Sequence, residues 1–272
     1  MKTGLHAALL LVLTAAALTA HDTWLVPQAF APSPNSVVTL RLATSEAFPG
    51  SDSAVAPDRV EKFYSRTHAG KRMIRGYHVD GNYLVAEIET PQRPGLMLVV
   101  AETKPKAFVL EPKVFNSYLQ EEEMKNAIEA RARAGKTNSP GRERYRKIAK
   151  TALCVGGSTK DEMYSKPEGL WLEILPERSP CGLQVGDEMK VQVLLEGKPL
   201  GGAHLAAGYK GPTGHKYPVW VETNAEGRAA VKLNRSGAWF VRVLHMVPAV
   251  KDPEADWQSA FSTMTFAVAE KK

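Results

Sequence analysis

The sequence predicts a mostly β protein: two antiparallel β-sandwich-like lobes, the C-terminal one immunoglobulin- or transthyretin-like, joined by a helical segment. Three observations predict it. Short alternating segments separated by Gly- and Asn-containing turns fill the chain from Leu170 onward, further alternating runs broken by Pro and Gly occupy residues 21–110, and residues 111–156 carry the strongly helical pattern. The organisation that follows is a leader at 1–20, an N-terminal β lobe at 21–110, a helical joint at 111–156 and a C-terminal sandwich at 168–269.

Met1 to Ala20 combines Lys2, an apolar run from Ala7 to Val12 and small residues from Thr14 to Ala20. This is the pattern of a secretory signal peptide, too short for a bilayer span. The expected location is therefore periplasmic or secreted. In the first lobe, Val38, Leu40 and Leu42 of VVTLRLAT share one face. NYLVAEIET at 82–90 and GLMLVVAET at 95–103 are two further strands, divided by Pro91 and Pro94. Asp80-Gly81-Asn82 reads as a turn.

In the joint, Phe115, Tyr118 and Leu119 share a helical face, as do Met124, Ala127 and Ile128. The five-residue step between the two sets predicts a bend. Glu121 with Lys125 and Glu129 with Arg133 are i, i+4 pairs, and Gly135 ends the helix. Ser139-Pro140 then reads as a cap and first turn of a second helix, on which Tyr145, Ile148, Ala149, Ala152 and Leu153 form an apolar face. Beyond it lie WLEILP at 171–176, EMKVQVLL at 188–195, HLAAGY at 204–209, YPVWVET at 217–223, AAVKL at 229–233, WFVRVLHM at 239–246 and STMTFAV at 262–268. Seven such strands in about 100 residues are the signature of an immunoglobulin-like sandwich.

The chain carries 35 Lys and Arg against 29 Asp and Glu, a net charge of +6. The basic residues concentrate between Arg131 and Lys150, but Tyr145 is the sole aromatic among them, so a solvated face is favoured over a nucleic-acid surface. Cys154 and Cys181 are either a disulfide, which an exported chain permits, or two small buried residues.

The common hydrolase, zinc-protease, nucleotide-binding and CxxC motifs are absent from the sequence, and no catalytic residue is assigned. Glu121, Glu122 and Glu123 point in different directions on a helix and read as an acidic face. The histidines carry the chemistry. Cleavage after Ala20 would make His21 the first residue, whose amine and ring nitrogen chelate one ion together, with Asp22 beside it; cleavage after Ala17 would remove that option. His245 closes a strand whose residues Phe240, Arg242 and Leu244 lie on the other face. His215 sits in a Gly/Pro-rich loop, and His68, His78 and His204 have no ligand spacing.

HDTWLVPQAF, FNSYLQEEEMKNAIEARARAGKTNSPGRERYRKIAKTALCVGG, GLWLEILP, VGDEMKVQVLLEGKPLGGAHLAA, TNAEGRAAVKLNRSGAWFVRVLHM and DWQSAFSTMTFAV, in this order, resemble a bacterial exported family of unknown-function domains grouped with the periplasmic component of nickel and cobalt uptake systems. The resemblance implies a two-lobed periplasmic β protein and a role with divalent transition metals. Residue by residue it implies His21, Asp22 and His245 as metal ligands, although here Thr23 intervenes before the bulky Trp24. The leading expectation is thus a protein that binds or delivers nickel, cobalt or copper, partnered with a membrane metal transporter. The alternative is a non-enzymatic envelope module binding a partner protein or polymer, to be marked by an exposed aromatic patch around Tyr209, Tyr217 and Trp220. A copper oxidase is the remotest reading.

Overall fold

The computed structural model describes residues 21–158, 161–211 and 217–271. The expected leader and His215 lie outside these residues. In chain order the strands of the first part are β1 (Asp22–Pro27), β2 (Val37–Ser45), β3 (Ser53–Ala54), β4 (Val60–Thr67), β5 (Gly70–Met73), β6 (His78–Asp80), β7 (Tyr83–Glu89), β8 (Gly95–Thr103) and β9 (Lys106–Leu110). Two helices follow, α1 (Pro112–Glu121) and α2 (Lys125–Arg133). The second part holds β10 (Gly141–Val155), β11 (Leu172–Pro176), β12 (Glu188–Leu195), β13 (Lys198–Pro199), β14 (His204–Tyr209), β15 (Val219–Glu222), β16 (Arg228–Lys232), β17 (Gly237–Pro248) and β18 (Trp257–Val268).

The protein is mostly β and its strand pairs are mostly antiparallel, as the alternation predicts. Val38, Leu40 and Leu42 are all buried, each burial worth about 1.5–3 kcal/mol. Each of the seven strands expected after Leu170 is present, and Gly186, Gly197, Gly227 and Gly237 take the positive φ that their turns require. The bend in the helical segment falls where the apolar phase slips: α1 stops at Glu121, Glu123 takes φ 53°, and α2 restarts at Lys125. Gly135, at φ 65°, ends α2.

The second helix expected from Ser139 is not formed. Residues 141–155 are instead a 15-residue strand, and this corrects the extent of the helical joint. The reason is burial on both sides. Ala149, Leu153 and Val155 face one core and Ile148 and Ala152 face another, so apolar residues occur on both faces and mimic a helical stripe. β10 runs antiparallel to β8 and β9 on one side and parallel to β18 on the other.

That parallel pairing fuses the two expected lobes. A nine-stranded sheet in the order β15-β14-β17-β18-β10-β8-β4-β5, with β9 on β10, runs through both parts of the chain. One of its faces packs on the five-stranded sheet β1-β2-β7-β6 with β3, around Leu40, Leu84, Val99 and Leu153. The other packs on the four-stranded sheet β11-β12-β13 with β16, around Leu98, Ile148, Val191 and Val241. The second pair of layers is the immunoglobulin-like sandwich.

The basic run of β10 ties this assembly together. Arg142 binds Asp256 through two nitrogens at 2.9 and 3.0 Å, and Arg144 binds Asp252 at 2.5 and 3.1 Å. Farther in, Lys150 donates to Glu173 at 2.8 Å and to the Ile174 carbonyl at 3.0 Å, both side chains being buried. Glu173 also accepts the backbone N–H groups of Glu168 and Gly169, so the buried charges are hydrogen-bonded as well as paired. Cys154 and Cys181 form a disulfide across the sandwich, with Cα atoms 5.5 Å apart.

Candidate functional site

β1, an edge strand of the five-stranded sheet, packs across the nine-stranded sheet. The Oγ1 atoms of Thr263 and Thr265 on β18 donate to the Thr23 and Leu25 carbonyls at 2.6 and 2.5 Å. The start of the described chain is therefore pinned in the interior, and Asp22 is 1% exposed. Its carboxylate accepts Arg242 Nε at 2.9 Å on one oxygen and the Tyr217 hydroxyl on the other.

Arg242, itself buried, donates a second bond from Nη1 to Glu122 Oε2 at 2.6 Å, and its guanidinium stands 4.8 Å from the Tyr217 ring centre. Burial opposes the guanidinium charge, but Asp22 and Glu122 outweigh it and hold the pKa well above its ordinary value. Burial raises the Glu122 carboxyl against the pull of Arg242, with the charge of Asp22 adding to the rise. Burial, then the negative charge of Asp22, raises Tyr217, so the phenol remains a donor.

A second polar group lies on the same face of β10 as Tyr145 and Lys147, two and four residues away in the strand period. Glu143 is fully buried, and its Oε1 accepts the Tyr118 hydroxyl at 3.3 Å and the Ser259 hydroxyl. Burial lifts its pKa to about 7, against a lowering by those two hydrogen bonds. The folded state then holds a proton that the unfolded chain, at an ordinary 4.5, releases. Glu143 therefore contributes stability that is complete below about pH 4.5 and is lost as pH rises through about 7. Burial of His245 works the other way: with its pKa lowered to about 4, its contribution is complete above the ordinary 6.5 and is lost as pH falls through 4. The two slopes oppose in the wild type. Glu143→Gln isolates the first: relative to wild type, urea unfolding should show the variant gaining up to about 3 kcal/mol between pH 4.5 and 7.5. A difference independent of pH would contradict the assignment.

Beside Tyr118, Tyr145 and Lys147 lies a cavity of about 270 Å³. It is lined by His21 just before β1, Thr44 of β2, Ser53 of β3, Lys106, Phe108 and Leu110 of β9, Tyr118 of α1, Tyr145 and Lys147 of β10, and Phe261 of β18. Phe108 and Phe261 meet Tyr145 edge-on at 5.4 and 6.2 Å, so the apolar wall is fixed by mutual packing. Lys147 Nζ lies 6.0 Å from the ring centres of both Tyr145 and Phe261 and donates to the His21 carbonyl at 2.7 Å. Burial lowers its pKa to about 8, opposed by Asp22 and assisted by Arg59, so the amine is cationic at neutral pH. A larger depression of about 580 Å³ lies beside Arg142 and Asp256, but Arg142 is paired with Asp256, Asp252 with Arg144, and Arg131 donates to the Ser139 carbonyl.

The residues expected to form a metal centre are placed as follows. His21 lines the cavity, with Nε2 3.2 Å from Glu46 and 4.0 Å from Asp52. Asp22 faces Arg242 and Tyr217. His245 is three residues from Arg242 along β17 and points to the opposite face of the sheet, on the side of Val241 and Val243. The structure thus separates His245 from His21 and Asp22. Among the described residues, no group of three or more His, Cys, Asp or Glu side chains is placed to hold a metal ion. His68 pairs with Asp161 at 2.7 Å, and His204 with Glu123 at 2.9 Å. Of the aromatic patch, Trp220 is 36% exposed and stacks edge-on with Tyr217 at 5.4 Å, while Tyr209 packs against Trp239.

Arg242, Lys147, Tyr118 and Glu143 are the residues of this region that sequence reasoning did not single out. For Arg242 the signal was present, a lone charge between Phe240 and Leu244 on an otherwise apolar strand face, which requires a buried partner. For Glu143 and Lys147 it was hidden by the misread strand, and Tyr118 was read only as part of the apolar face of α1. Among the described residues, no helix is long and apolar enough to cross a membrane.

Comparison with solved structures finds distant likenesses only. The D0-D1 domain of Intimin is 12% identical, with 90% of this chain and 97% of that chain covered and a TM-score of 0.22. The Yersinia pseudotuberculosis adhesin InvE is 12% identical, covering 89% of this chain and 58% of that one at a TM-score of 0.23. The fibronectin(III)-like modules of Clostridium thermocellum CbhA are 9% identical, covering 90% and 94% at 0.23. No curated protein matches significantly in sequence. A family model, however, matches residues 18–247, most of the chain, and the chain accordingly belongs to the family described as Domain of unknown function (DUF4198).

Proposed function

We propose that this chain is a non-enzymatic binding module of the cell envelope, and that its recognition element is the cavity beside His21. The observation that carries the reading is convergence. Six elements far apart in sequence, with the residue preceding β1, each supply a side chain to one cavity, which makes it a product of the whole fold rather than of a loop. An apolar wall with a few convergent polar groups is the usual composition of a small-ligand site. The charged groups behind it have fixed partners: Asp22 and Glu122 are held by Arg242, and Glu143 by two hydroxyls. They do not line the cavity, and of them Asp22 acts electrostatically on Lys147.

The test is a thermal-unfolding screen of the purified protein against organic anions, amines, short peptides, and nickel, cobalt and copper salts. Organic ligands should raise the midpoint in wild type and do so less in Tyr145→Leu, since a ligand bound to the folded state stabilises by mass action. Silence of every organic ligand, together with nickel or copper binding that is lost in His21→Ala, would overturn the reading in favour of a metal carrier.

A further inference from the structure

We infer that the cavity takes a small organic carboxylate whose body is one aromatic ring or a short apolar chain, with the carboxylate on Lys147 and the body between Phe108, Tyr145 and Phe261. This rests on the binding-module reading and names its ligand class.

Size sets the first limit. About 270 Å³ is just under the range of about 300–1,000 Å³ for drug-sized sites, so a single ring fits and a larger scaffold does not. The wall sets the second. Phe108 and Phe261, each edge-on to Tyr145, offer with it apolar and π surface. A sugar or a short polar acid would leave that surface without a matching partner.

Charge sets the third. An ammonium has three N–H donors, and the bond to the His21 carbonyl uses one of those on Lys147. Lys106 adds a second cation at the rim. Asp22 is an anion that acts on Lys147, and its two oxygens are turned to Arg242 and Tyr217, while Glu46 and Asp52 stand at the His21 ring, 3.2 and 4.0 Å from Nε2. An amine at the Lys147 end would meet Lys147, Lys106 and the nearby Arg59, so that end rejects cations, the carboxylates of Glu46 and Asp52 lying instead at the His21 ring. An uncharged ring would cover the ammonium without offering it an acceptor, which costs the hydration of a buried charge. An acid with an apolar body satisfies both ends. Such an acid could be a free small molecule or the C-terminus of a peptide ending in an aromatic residue, the two presenting the same chemistry.

Calorimetric titration with 3-phenylpropionate, 3-phenylpropanol and 3-phenylpropylamine, three ligands with one body, tests the class. The acid should bind at least about ten-fold more tightly than the alcohol, equivalent to about 1.4 kcal/mol, and the amine should bind most weakly. In Lys147→Met the acid should lose that advantage while the alcohol still binds, which shows in the same variant that the cavity remains formed. Equal or tighter binding of the alcohol or amine in wild type would overturn the carboxylate assignment and leave the binding-module reading standing. Absence of binding by all three at millimolar concentration would remove both. A peptide ending in Phe, free or amidated at its C-terminus, separates the sources: tighter binding of the free-acid peptide than of 3-phenylpropionate, lost on amidation, assigns a peptide terminus, and the reverse order assigns a small acid.

Discussion

Replacing Arg242 with Ala should lower the unfolding free energy by about 3–5 kcal/mol, the cost of leaving buried carboxylates without their counter-charge. Asp22 and Glu122 both depend on this guanidinium, and the Tyr217 ring lies against it. The loss should therefore propagate from β17 to β1 and to the end of α1. Arg242→Lys should recover part of it, because an ammonium retains the charge but cannot direct two fixed bonds to carboxylates on different elements. Chemical denaturation of the three proteins reads the result, and a loss below about 1 kcal/mol for Arg242→Ala would show that the cluster carries little of the fold's stability.

Removing the disulfide should cost nearly as much. Cys154 and Cys181 are 27 residues apart in sequence, and closing a loop of that length stabilises by roughly 3–4 kcal/mol through the unfolded chain. The double variant Cys154→Ala, Cys181→Ala should unfold at lower denaturant than the oxidised wild type, and reductant should shift the wild type alone. The link joins β10 to the chain just after β11, so its loss should loosen the immunoglobulin-like sandwich more than the five-stranded sheet. Hydrogen exchange can resolve that difference.

The parts of the fold that were legible in sequence share one property: each strand was marked by itself. The strands after Leu170 are short, alternate, and end at glycines that the structure places at positive φ. The bend between α1 and α2 was legible for the same reason, since a slip in apolar phase is local. β10 failed this test. A strand buried on both faces has no two-residue alternation to read, and Tyr145, Ile148, Ala149, Ala152 and Leu153 fall by coincidence on helical spacing. That error hid the shared nine-stranded sheet, because the β10–β18 pair joins segments more than a hundred residues apart, a contact that no local pattern announces.

The site was legible to the same degree. His21 was singled out for its place at the start of the exported chain, and it does line the cavity. The alternation noted around His245 already placed it on the face opposite Arg242, which is how the structure separates it from Asp22. Lys147 and Tyr145 were assigned to a helix, where two positions apart means different faces. On a strand the same spacing aims both into one cavity.

The most direct test of a recognition site beside His21 is an amide NMR titration of the protein with 3-phenylpropionate. The account predicts saturable shifts confined to His21, β9, Tyr118, the Tyr145 to Lys147 segment of β10 and Phe261. Shifts centred instead on Trp220 and β15, or no saturable shifts, would contradict it.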